Sequence, residues 1–425
     1  MGTPEIWTQI VAYKIEREIM LAQVKSLIKN REKRAEASKR AKARLRTGID
    51  YYDFNLVAVV ILLICFGLVM LYSTSAYEAE VKFGNDMYYF GKQALISIGS
   101  VFLALIISQL DYHILYPLSG YIYIAAIVLM VLVRSPLGVV VNGARRWLKI
   151  GIQFQPSELA KIAVIVFIPC LIIKMGKQIR TLRSYIILLC AGGLLAVIAF
   201  VFTDNLSTAL IIAGMTAAMI FIAYPRIKPF LVTAIGILAA AVSIILFYVS
   251  GSDTGSDFRM ERIMVWLHPE EYASEGGYQI MQALYAIGSG GFFGKGLGNS
   301  TQKLGSVPEA QNDMIFAIVC EELGVFGGML LIILFAYLLY RLFFIAQNAP
   351  DLYGSLMAGG IFIHIALQVV LNICVVTNLL PTTGITLPFV SYGGTSILFL
   401  MAEIGIALSI SRKIKFQENE RRRSN

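Results

Sequence analysis

Long apolar stretches constrain this chain more than any other feature of its sequence. A stretch of about 20 apolar residues is long enough to cross a hydrocarbon core of roughly 30 Å as an α-helix. We find ten such stretches, at residues 55–73, 94–110, 114–133, 159–174, 184–203, 207–224, 228–250, 314–340, 355–377 and 391–411. Hydrophobic residues make up 57% of the chain, charged residues only 15%, and the mean hydropathy is +0.71. The sequence therefore predicts an all-α polytopic membrane protein with about ten transmembrane helices.

The distribution of charge predicts the orientation of these helices. Residues 1–50 hold twelve Lys/Arg against six Asp/Glu, and residues 412–425 hold six against two. Basic segments next to membrane helices stay in the cytoplasm, so both termini are predicted to be cytoplasmic, which an even number of spans allows. We expect a basic cytoplasmic extension (1–50), a membrane domain (51–411) and a basic cytoplasmic tail (412–425). Residues 251–312 then form a large external loop between predicted helices 7 and 8.

The extension before the first span begins with apolar residues at loosely helical spacing. A Lys/Arg-rich run, "REKRAEASKRAKARLR", follows them. A basic helix beside a membrane can lie on anionic lipids, gaining about 1 kcal/mol for each well-placed cation. A solvated tail is the alternative. Membrane lipids are an expected partner, and nucleic acid is not.

An aspartate at the start of a predicted span poses the main functional question. In "VPEAQNDMIFAIVCEELG" (307–324), Asp313 directly precedes an apolar run, and Glu321 and Glu322 follow within it. A charged side chain at the centre of a membrane helix costs roughly 2.5–3.5 kcal/mol on insertion scales, so such residues mark functional sites or paired charges. Under the predicted topology, Asp313 lies at the outer membrane surface.

Other polar groups are predicted at the same depth. They are Asp204, the "QPSELAK" start of a span (155–161) and "TTGITLPFVSYGGTS" (382–396). Glu158 and Lys161 are three residues apart and can pair on one helix face. Pro388 and the Gly393–Gly394 pair interrupt regular helix, which membranes tolerate where backbone lines a cavity or packs on protein. We expect one outward-facing polar cavity, with independent helix-packing pairs as the alternative for Glu321, Glu322 and Glu403.

Basic residues occur in one predicted external loop, where they are usually scarce. "NGARRWLKIG" (142–151) contains Arg145, Arg146 and Lys149. These residues either contact lipid headgroups or bind an anionic substrate, because the arginine fork matches phosphate. A second segment, "GSGGFFGKGLGNS" (288–300), lacks the strand–turn–helix context of a nucleotide site and is predicted to be a flexible re-entrant or interfacial loop. His and Cys residues show no metal-ligand spacing.

Three long motifs together resemble a known family. "QPSELAK", "GYQIMQALYAIGSGGFFGKGLGNSTQKLGSVPEAQNDMIFAIVCEELG" and "PTTGITLPFVSYGGTS" are similar to signature stretches of the SEDS family (shape, elongation, division and sporulation). The resemblance covers roughly residues 51–412. "GKGLGNSTQKL" and "APDLYGS" (349–355) are closer to its FtsW/SpoVE branch than to its RodA branch. This chain departs from the family at Gln311-Asn312, where a His-Thr pair is usual, and at "TDNLST", where Asp204 is kept but a proline and a glycine are lost.

The resemblance implies a peptidoglycan glycosyltransferase that polymerises lipid II, a disaccharide carried on undecaprenyl diphosphate. An alcohol nucleophile needs a general base, worth about 10²–10⁴ in rate, and Asp313 is the candidate. A helix cap is the alternative role for this residue. The leaving diphosphate needs positive charge, for which we select Arg145, Arg146 and Lys161. The matched motifs and the outer polar residues complete the substrate-binding candidates: Glu158, Asp204, Gln279, Lys295, Gln302, Lys303, Glu309, Ser391 and Gly393.

No cofactor is required by these patterns, although a divalent cation (Mg or Mn) could assist the diphosphate. The resemblance implies a class B penicillin-binding transpeptidase and other division or sporulation proteins as partners, at the bacterial cell membrane and its division septum. Two other classes of function fit the same pattern: a lipid II flippase, with membrane acids as relays, and a scaffold that activates the transpeptidase.

Overall fold

The computed structural model describes residues 49–141, 144–150, 152–235, 264–272, 277–303 and 310–416. Residues 52–413 form one compact unit. The other unit holds the two ends of the chain, where strands β1 (Ile49–Asp50) and β5 (Lys415–Phe416) pair in antiparallel fashion. The predicted extension 1–50 lies almost wholly outside the described residues, and so does Glu309.

The described residues include ten α-helices whose first and last residues are both defined. They are α1 (Phe54–Phe83), α2 (Tyr88–Gln109), α3 (Leu115–Leu132), α4 (Pro156–Met175), α5 (Leu182–Phe202), α6 (Leu206–Ala223), α7 (Gly277–Ser289), α8 (Ile315–Asn348), α9 (Leu352–Val376) and α10 (Ser396–Ser411). A one-turn 3-10 helix, Tyr112–Ile114, leads into α3. Short polar residues define several starts, because their oxygens accept hydrogen bonds from otherwise unpaired N–H groups. Asp53, Thr181, Asn205 and Asp351 cap α1, α5, α6 and α9 in this way.

The fold is that of a polytopic helical membrane protein, as predicted. Eight described helices are long and apolar enough to cross a membrane, and α10 is a shorter apolar helix. These nine match nine of the ten predicted spans. The remaining one, 228–250, is helical over 228–235 and otherwise lies outside the described residues, so the count of ten stays a prediction. Helix α1 ends at Phe83, ten residues beyond the predicted end, because its last turns carry charged residues that lower hydropathy without ending the helix.

A small sheet modifies the all-α expectation. Strands β2 (Gly138–Val141), β3 (Ala144–Ile150) and β4 (Ile152–Phe154) form an antiparallel sheet between α3 and α4. A register shift between Val139 and Val140 marks a bulge. This sheet carries Arg145 and Arg146, so the basic loop has a defined backbone.

Helix α8 is kinked at Gly324, whose φ of 70° and ψ of −169° are not helical. The glycine-rich segment 290–296 docks on this kink through four backbone hydrogen bonds, in which Lys295 and Gly296 donate to the carbonyls of Glu321 and Glu322, and Val325 and Phe326 donate to Gly291 and Phe292. A Cβ on Gly294 would lie 2.2 Å from the Glu322 oxygen. The expectation of a flexible loop is therefore corrected: the segment lacks regular structure, but its backbone is paired.

The segment between α9 and α10 re-enters the helical unit. Phe389 is buried and has a φ of 64°, and Val390 lies against Gly67, near the middle of α1. A Cβ on Gly67 would lie 2.6 Å from the Val390 Cα, so only glycine permits this contact. Backbone without helical hydrogen bonds is thus packed on protein at membrane depth, as the position of Pro388 predicts.

Ion pairs are also present at the ends of these helices remote from Asp313. Arg341 on α8 donates to both carboxylate oxygens of Asp53, with the shortest contact at 2.8 Å, and the pair is largely buried. Lys413 lies 2.6 Å from Asp111, between α2 and α3. The Lys413 hydrogen bond holds the pKa of Asp111 well below its usual range.

Candidate active site at the start of helix α8

Asp313 belongs to the turn 310–314 that precedes α8, and its side chain is half-buried. The N-cap residue of α8 is Met314, whose side chain makes no capping hydrogen bond. The Nδ2 of Asn372 on α9 donates to the Asp313 carbonyl oxygen at 2.8 Å and to the Ile385 carbonyl oxygen at 2.6 Å. The backbone of Asp313 is therefore held by Asn372, which also contacts the re-entrant segment, and the capping alternative for its carboxylate stays a prediction.

The re-entrant segment lies directly beside the Asp313 carboxylate. Gly384 has a φ of +65°, and a Cβ built there would lie 3.8 Å from the Asp313 Oδ2. The hydroxyl of Ser207 at the start of α6 donates to the Thr383 carbonyl oxygen. The turn at Asp313, the segment at 383–385 and the start of α6 therefore meet at one place.

Gln311 connects the same turn to two other elements. Its carbonyl accepts from the Tyr392 N–H at 2.9 Å, and its Nε2 donates to the Glu78 carboxylate on α1 at 2.8 Å. Glu78 also pairs with Lys82 at 2.5 Å. Sequence reasoning did not select Glu78, because it lies beyond the apolar run of the first span.

Glu158 and Lys161 form a buried ion pair at 2.9 Å on α4, as their spacing predicts. The Nζ of Lys161 also lies 3.4 Å from the Gln368 side-chain oxygen on α9. Gln368 Nε2 in turn donates to the Thr386 carbonyl oxygen at 3.0 Å. The pair is thereby linked to the segment that flanks Asp313.

Helix α9 supplies polar side chains at intervals of four residues, hence on one face. His364 lies 2.7 Å from Glu403 of α10, Gln368 contacts Lys161, and Asn372 contacts Asp313. All three are buried. Glu403 thus forms a buried pair between α9 and α10, which is consistent with the helix-packing alternative. Gln368 and Asn372 were missed in the sequence, although two polar residues four apart in an apolar span are a usable signal.

The basic hairpin contacts the turn at Asp204. Arg146 donates to the Asp204 carbonyl oxygen at 3.0 Å, and Arg134 pairs with its carboxylate at 3.0 Å. Arg145 makes a longer contact, 3.4 Å, to the Arg134 carbonyl. Asp204 itself has a φ of 45°. Arg146 is thus anchored next to α6, whose first turn reaches the Asp313 region through Ser207.

A second polar cluster lies under the glycine-rich segment. Lys295 pairs with Glu321 at 2.7 Å, and Lys303 pairs with Glu322 at 2.8 Å. Ser73 on α1 bonds both Glu322 and Lys303. Both glutamates are fully buried, so their charges are compensated inside the protein. Both glutamates are thus paired with lysines of the segment that packs on α8, and a further role for them stays a prediction.

The remaining candidates occupy separate positions. Gln279 lies half-buried on α7, and Gln302 is adjacent to Lys303. The Ser391 hydroxyl accepts from the Leu387 N–H at 2.8 Å, and the Gly393 carbonyl accepts from the Ser396 N–H at 2.8 Å. These last two contacts shape the re-entrant segment.

A cavity of about 490 Å³ lies between α1, α2 and the segment 297–303. Val69, Tyr72, Met87, Phe90 and Leu297 make most of its wall, and Lys303 and Ser73 are its polar members. It therefore adjoins the second cluster and does not include Asp313. Among the described residues, no group of three or more His, Cys, Asp or Glu side chains could hold a metal ion.

The fold and this site together define a class: a polytopic helical membrane protein with an acid at the start of one helix, braced by a re-entrant segment. The family model for FtsW, RodA and SpoVE, described as a cell cycle protein, matches residues 53–416. The chain belongs to this family.

Relatives and solved structures agree with this assignment. Stage V sporulation protein E of Bacillus subtilis is 40% identical over 367 residues, covering 86% of this chain and 98% of that protein. A probable peptidoglycan glycosyltransferase FtsW of Trichlorobacter lovleyi is 36% identical, covering 86% and 94%. A chain of a peptidoglycan synthase complex, described as coordinating polymerization and crosslinking, superposes with a TM-score of 0.71 at 26% identity, covering 85% and 98%. RodA of Thermus thermophilus superposes with a TM-score of 0.62 at 26% identity, covering 86% and 98%.

Proposed function

We propose that this protein is a peptidoglycan glycosyltransferase that polymerises lipid II at the outer face of the bacterial cytoplasmic membrane. The relatives' names support the activity. The observation that carries the proposal is the placement of Asp313: half-buried, beside a re-entrant segment, and linked by its neighbours to α1, α4, α6 and α9. A lipid-linked sugar can reach such a position from the bilayer while its diphosphate stays near the polar surface.

In this proposal the Asp313 carboxylate takes the proton from the 4-hydroxyl of the acceptor sugar. The hydroxyl oxygen forms a bond to the anomeric carbon of the donor, and the bond from that carbon to the diphosphate oxygen breaks with inversion. Undecaprenyl diphosphate leaves with the electron pair. A positioned base contributes about 10²–10⁴ in rate, which sets the scale of the effect expected from its removal.

Positive charge for the leaving diphosphate comes from a different set of residues. Lys161 is already paired with Glu158, so the two side chains together carry little net charge before the reaction. Arg146 lies beside α6 and presents several N–H donors in a planar fork. We infer that Arg146 carries more of this role than the more weakly anchored Arg145.

A divalent cation can take part in the reaction by binding to the phosphate oxygens of the substrate. Magnesium is commonly held by one or two carboxylates together with substrate phosphates, without a protein cage. Such binding fits the described residues, which contain no cluster of three acids or imidazoles, because the diphosphate brings its own oxygens. Chelation by EDTA followed by readdition of Mg²⁺ or Mn²⁺, with glycan length as the readout, tests this requirement.

The partner and the cellular site belong to the same proposal. The superposed synthase complex couples polymerization with crosslinking, which supports a class B penicillin-binding transpeptidase as the partner here. The similarity to a sporulation protein and to FtsW supports a role in division or sporulation, at the septum. Co-purification with each candidate transpeptidase and imaging of a fluorescent fusion test these two statements.

The experiment that tests the activity compares purified wild type with Asp313→Asn on labelled lipid II. Asparagine caps helices about as well as aspartate, so a capping role predicts an active variant. The base role predicts normal expression and a loss of polymerisation of about a hundredfold or more. Asn348→Asp, a change of the same size near the far end of α8, is the matched control.

The same assay separates the other classes of function. Glycan chains from wild type establish a polymerase. Movement of lipid II across proteoliposome membranes without chains would instead establish a flippase, and neither result would leave a scaffold. Near-normal synthesis by Asp313→Asn would move the base to another acid.

A further inference from the structure

Asn372 joins the two backbone segments that border Asp313. It lies on α9, is fully buried, and donates both hydrogens of its amide to carbonyl oxygens. One acceptor is Asp313 itself, 59 residues away in sequence, and the other is Ile385 of the re-entrant segment. A single side chain therefore sets the spacing between the turn at Asp313 and the segment 383–385.

The orientation of this amide is determined by its partners. Reversal would place the Asn372 Oδ1 against two carbonyl oxygens, and all three atoms are acceptors. In the observed orientation, Oδ1 is buried and has no hydrogen-bond partner among the described residues. The observed orientation therefore provides two donated hydrogen bonds, one to each backbone segment.

The two carbonyl oxygens flank the reacting group. Gly384 is next to Ile385, and a Cβ on Gly384 would lie 3.8 Å from the Asp313 Oδ2. A change in the spacing between the two segments must therefore change the position of the carboxylate relative to a sugar bound against the re-entrant segment. A misplacement of about 1 Å can lower a rate about a hundredfold.

We propose that Asn372 is a positioning residue for the general base, acting through the backbone of Asp313. This inference rests on the proposed function, since it needs Asp313 to be the base. Asn372 contacts no substrate in this account. Its loss is expected to lower kcat and to leave the KM for lipid II nearly unchanged, because the binding residues stay in place.

Asn372→Asp is the most direct test, since it keeps the side-chain shape and replaces the donating nitrogen with oxygen. We expect kcat to fall ten- to a hundredfold and KM to change less than about threefold in the protein that folds, while the buried carboxylate, which faces two carbonyl oxygens, lowers the melting temperature. Asn372→Ala, which removes both donors without adding charge, should show the same pattern. Asn348→Asp removes an equivalent donated bond, 2.8 Å to the Phe344 carbonyl, and should leave kcat unchanged.

A double-mutant cycle separates positioning from general stabilisation. Asp313→Glu moves the carboxylate by one methylene and keeps a base on the same turn, so we expect reduced but measurable turnover. If Asn372 acts through Asp313, adding Asn372→Asp to Asp313→Glu should cost far less than it costs in wild type. A purely structural role predicts fully additive losses in kcat, and that result would overturn the inference.

The failure of this inference can be told from failure of the proposed function. Full activity of Asp313→Asn would exclude Asp313 as the general base, and with it the function proposed for that residue. An inactive Asp313→Asn combined with wild-type kcat in both Asn372→Asp and Asn372→Ala would refute only the positioning role.

Discussion

Arg146 is anchored by its guanidinium and is also the candidate phosphate-binding residue of the basic hairpin. Its terminal nitrogen donates to the Asp204 carbonyl oxygen, while the Asp204 carboxylate is engaged by Arg134. A guanidinium presents five N–H donors in a planar fork, a geometry that matches phosphate. Arg145, with its single contact of 3.4 Å to a carbonyl, is less constrained.

Replacement of Arg146 by Lys should therefore impair polymerisation more than the same change at Arg145. Lysine keeps the charge but loses the planar fork, and the loss of one charge-assisted hydrogen bond, about 1.5 kcal/mol or more, corresponds to roughly tenfold in kcat/KM. Steady-state kinetics on labelled lipid II provide the measurement. The exposed Lys149 of the same strand, changed to Arg, is the control.

Full activity of Arg146→Lys would return the hairpin to the alternative of lipid-headgroup contact.

At the scale of elements, the kink in α8 shows how a membrane helix can accept a loop. Gly324 interrupts the helical hydrogen bonds, and the freed groups on both sides pair with the segment 290–296. Two ion pairs, Lys295–Glu321 and Lys303–Glu322, lie at the same place, and both glutamates are fully buried. Buried charges are costly unless paired, so the segment and the two glutamates depend on each other.

Gly294→Ala should destabilise this docking. Gly294 has a φ of +79°, and an added Cβ would lie 2.2 Å from a backbone oxygen that cannot move freely. Strain of this kind costs about 1–3 kcal/mol before the clash is relieved. We expect a melting temperature several degrees below wild type in detergent, and faster proteolysis within 290–303.

Gly288→Ala is the matched control for that change. Gly288 lies on α7, has no heavy atom within 4 Å of an added Cβ, and should tolerate alanine with no loss of stability. Equal melting temperatures for Gly294→Ala, Gly288→Ala and wild type would show that the docking contributes little.

At the scale of the whole molecule, the orientation in the membrane follows from charge and helix order. With both termini inside, the β2–β4 sheet faces outward and the 3-10 turn Gly176–Arg180 faces the cytoplasm. In this predicted topology the turn at Asp313 lies on the same side as the sheet, where the proposed reaction takes place.

Cysteine labelling tests this orientation. In a background without the five native cysteines, Gln153→Cys should react with an impermeant thiol reagent in intact cells, because this exposed residue lies on the outer sheet. Gln178→Cys should react only after the membrane is permeabilised. The reverse pattern would invert the topology and place Asp313 on the wrong side for the proposed reaction.

The sequence by itself determined the features that depend on neighbouring residues. Hydropathy over about 20 residues located nine described helices, since the cost of burying backbone and charge in lipid is summed along the chain. The spacing of Glu158 and Lys161 predicted their pairing, because three residues make most of a helical turn. Family motifs in the sequence identify Asp313 as the candidate general base without reference to any tertiary contact.

Only the tertiary structure decided which distant groups meet. Asn372 and Asp313 are 59 residues apart, and Gln311 and Glu78 are 233 apart, so no local spacing relates them. Lys303 is paired with Glu322 and Ser73 through the docking of a loop, a contact that hydropathy does not encode. A side chain at Gly67 or Gly324 would overlap with the backbone of the segment packed against it. Glycine at these two positions therefore permits the close contacts.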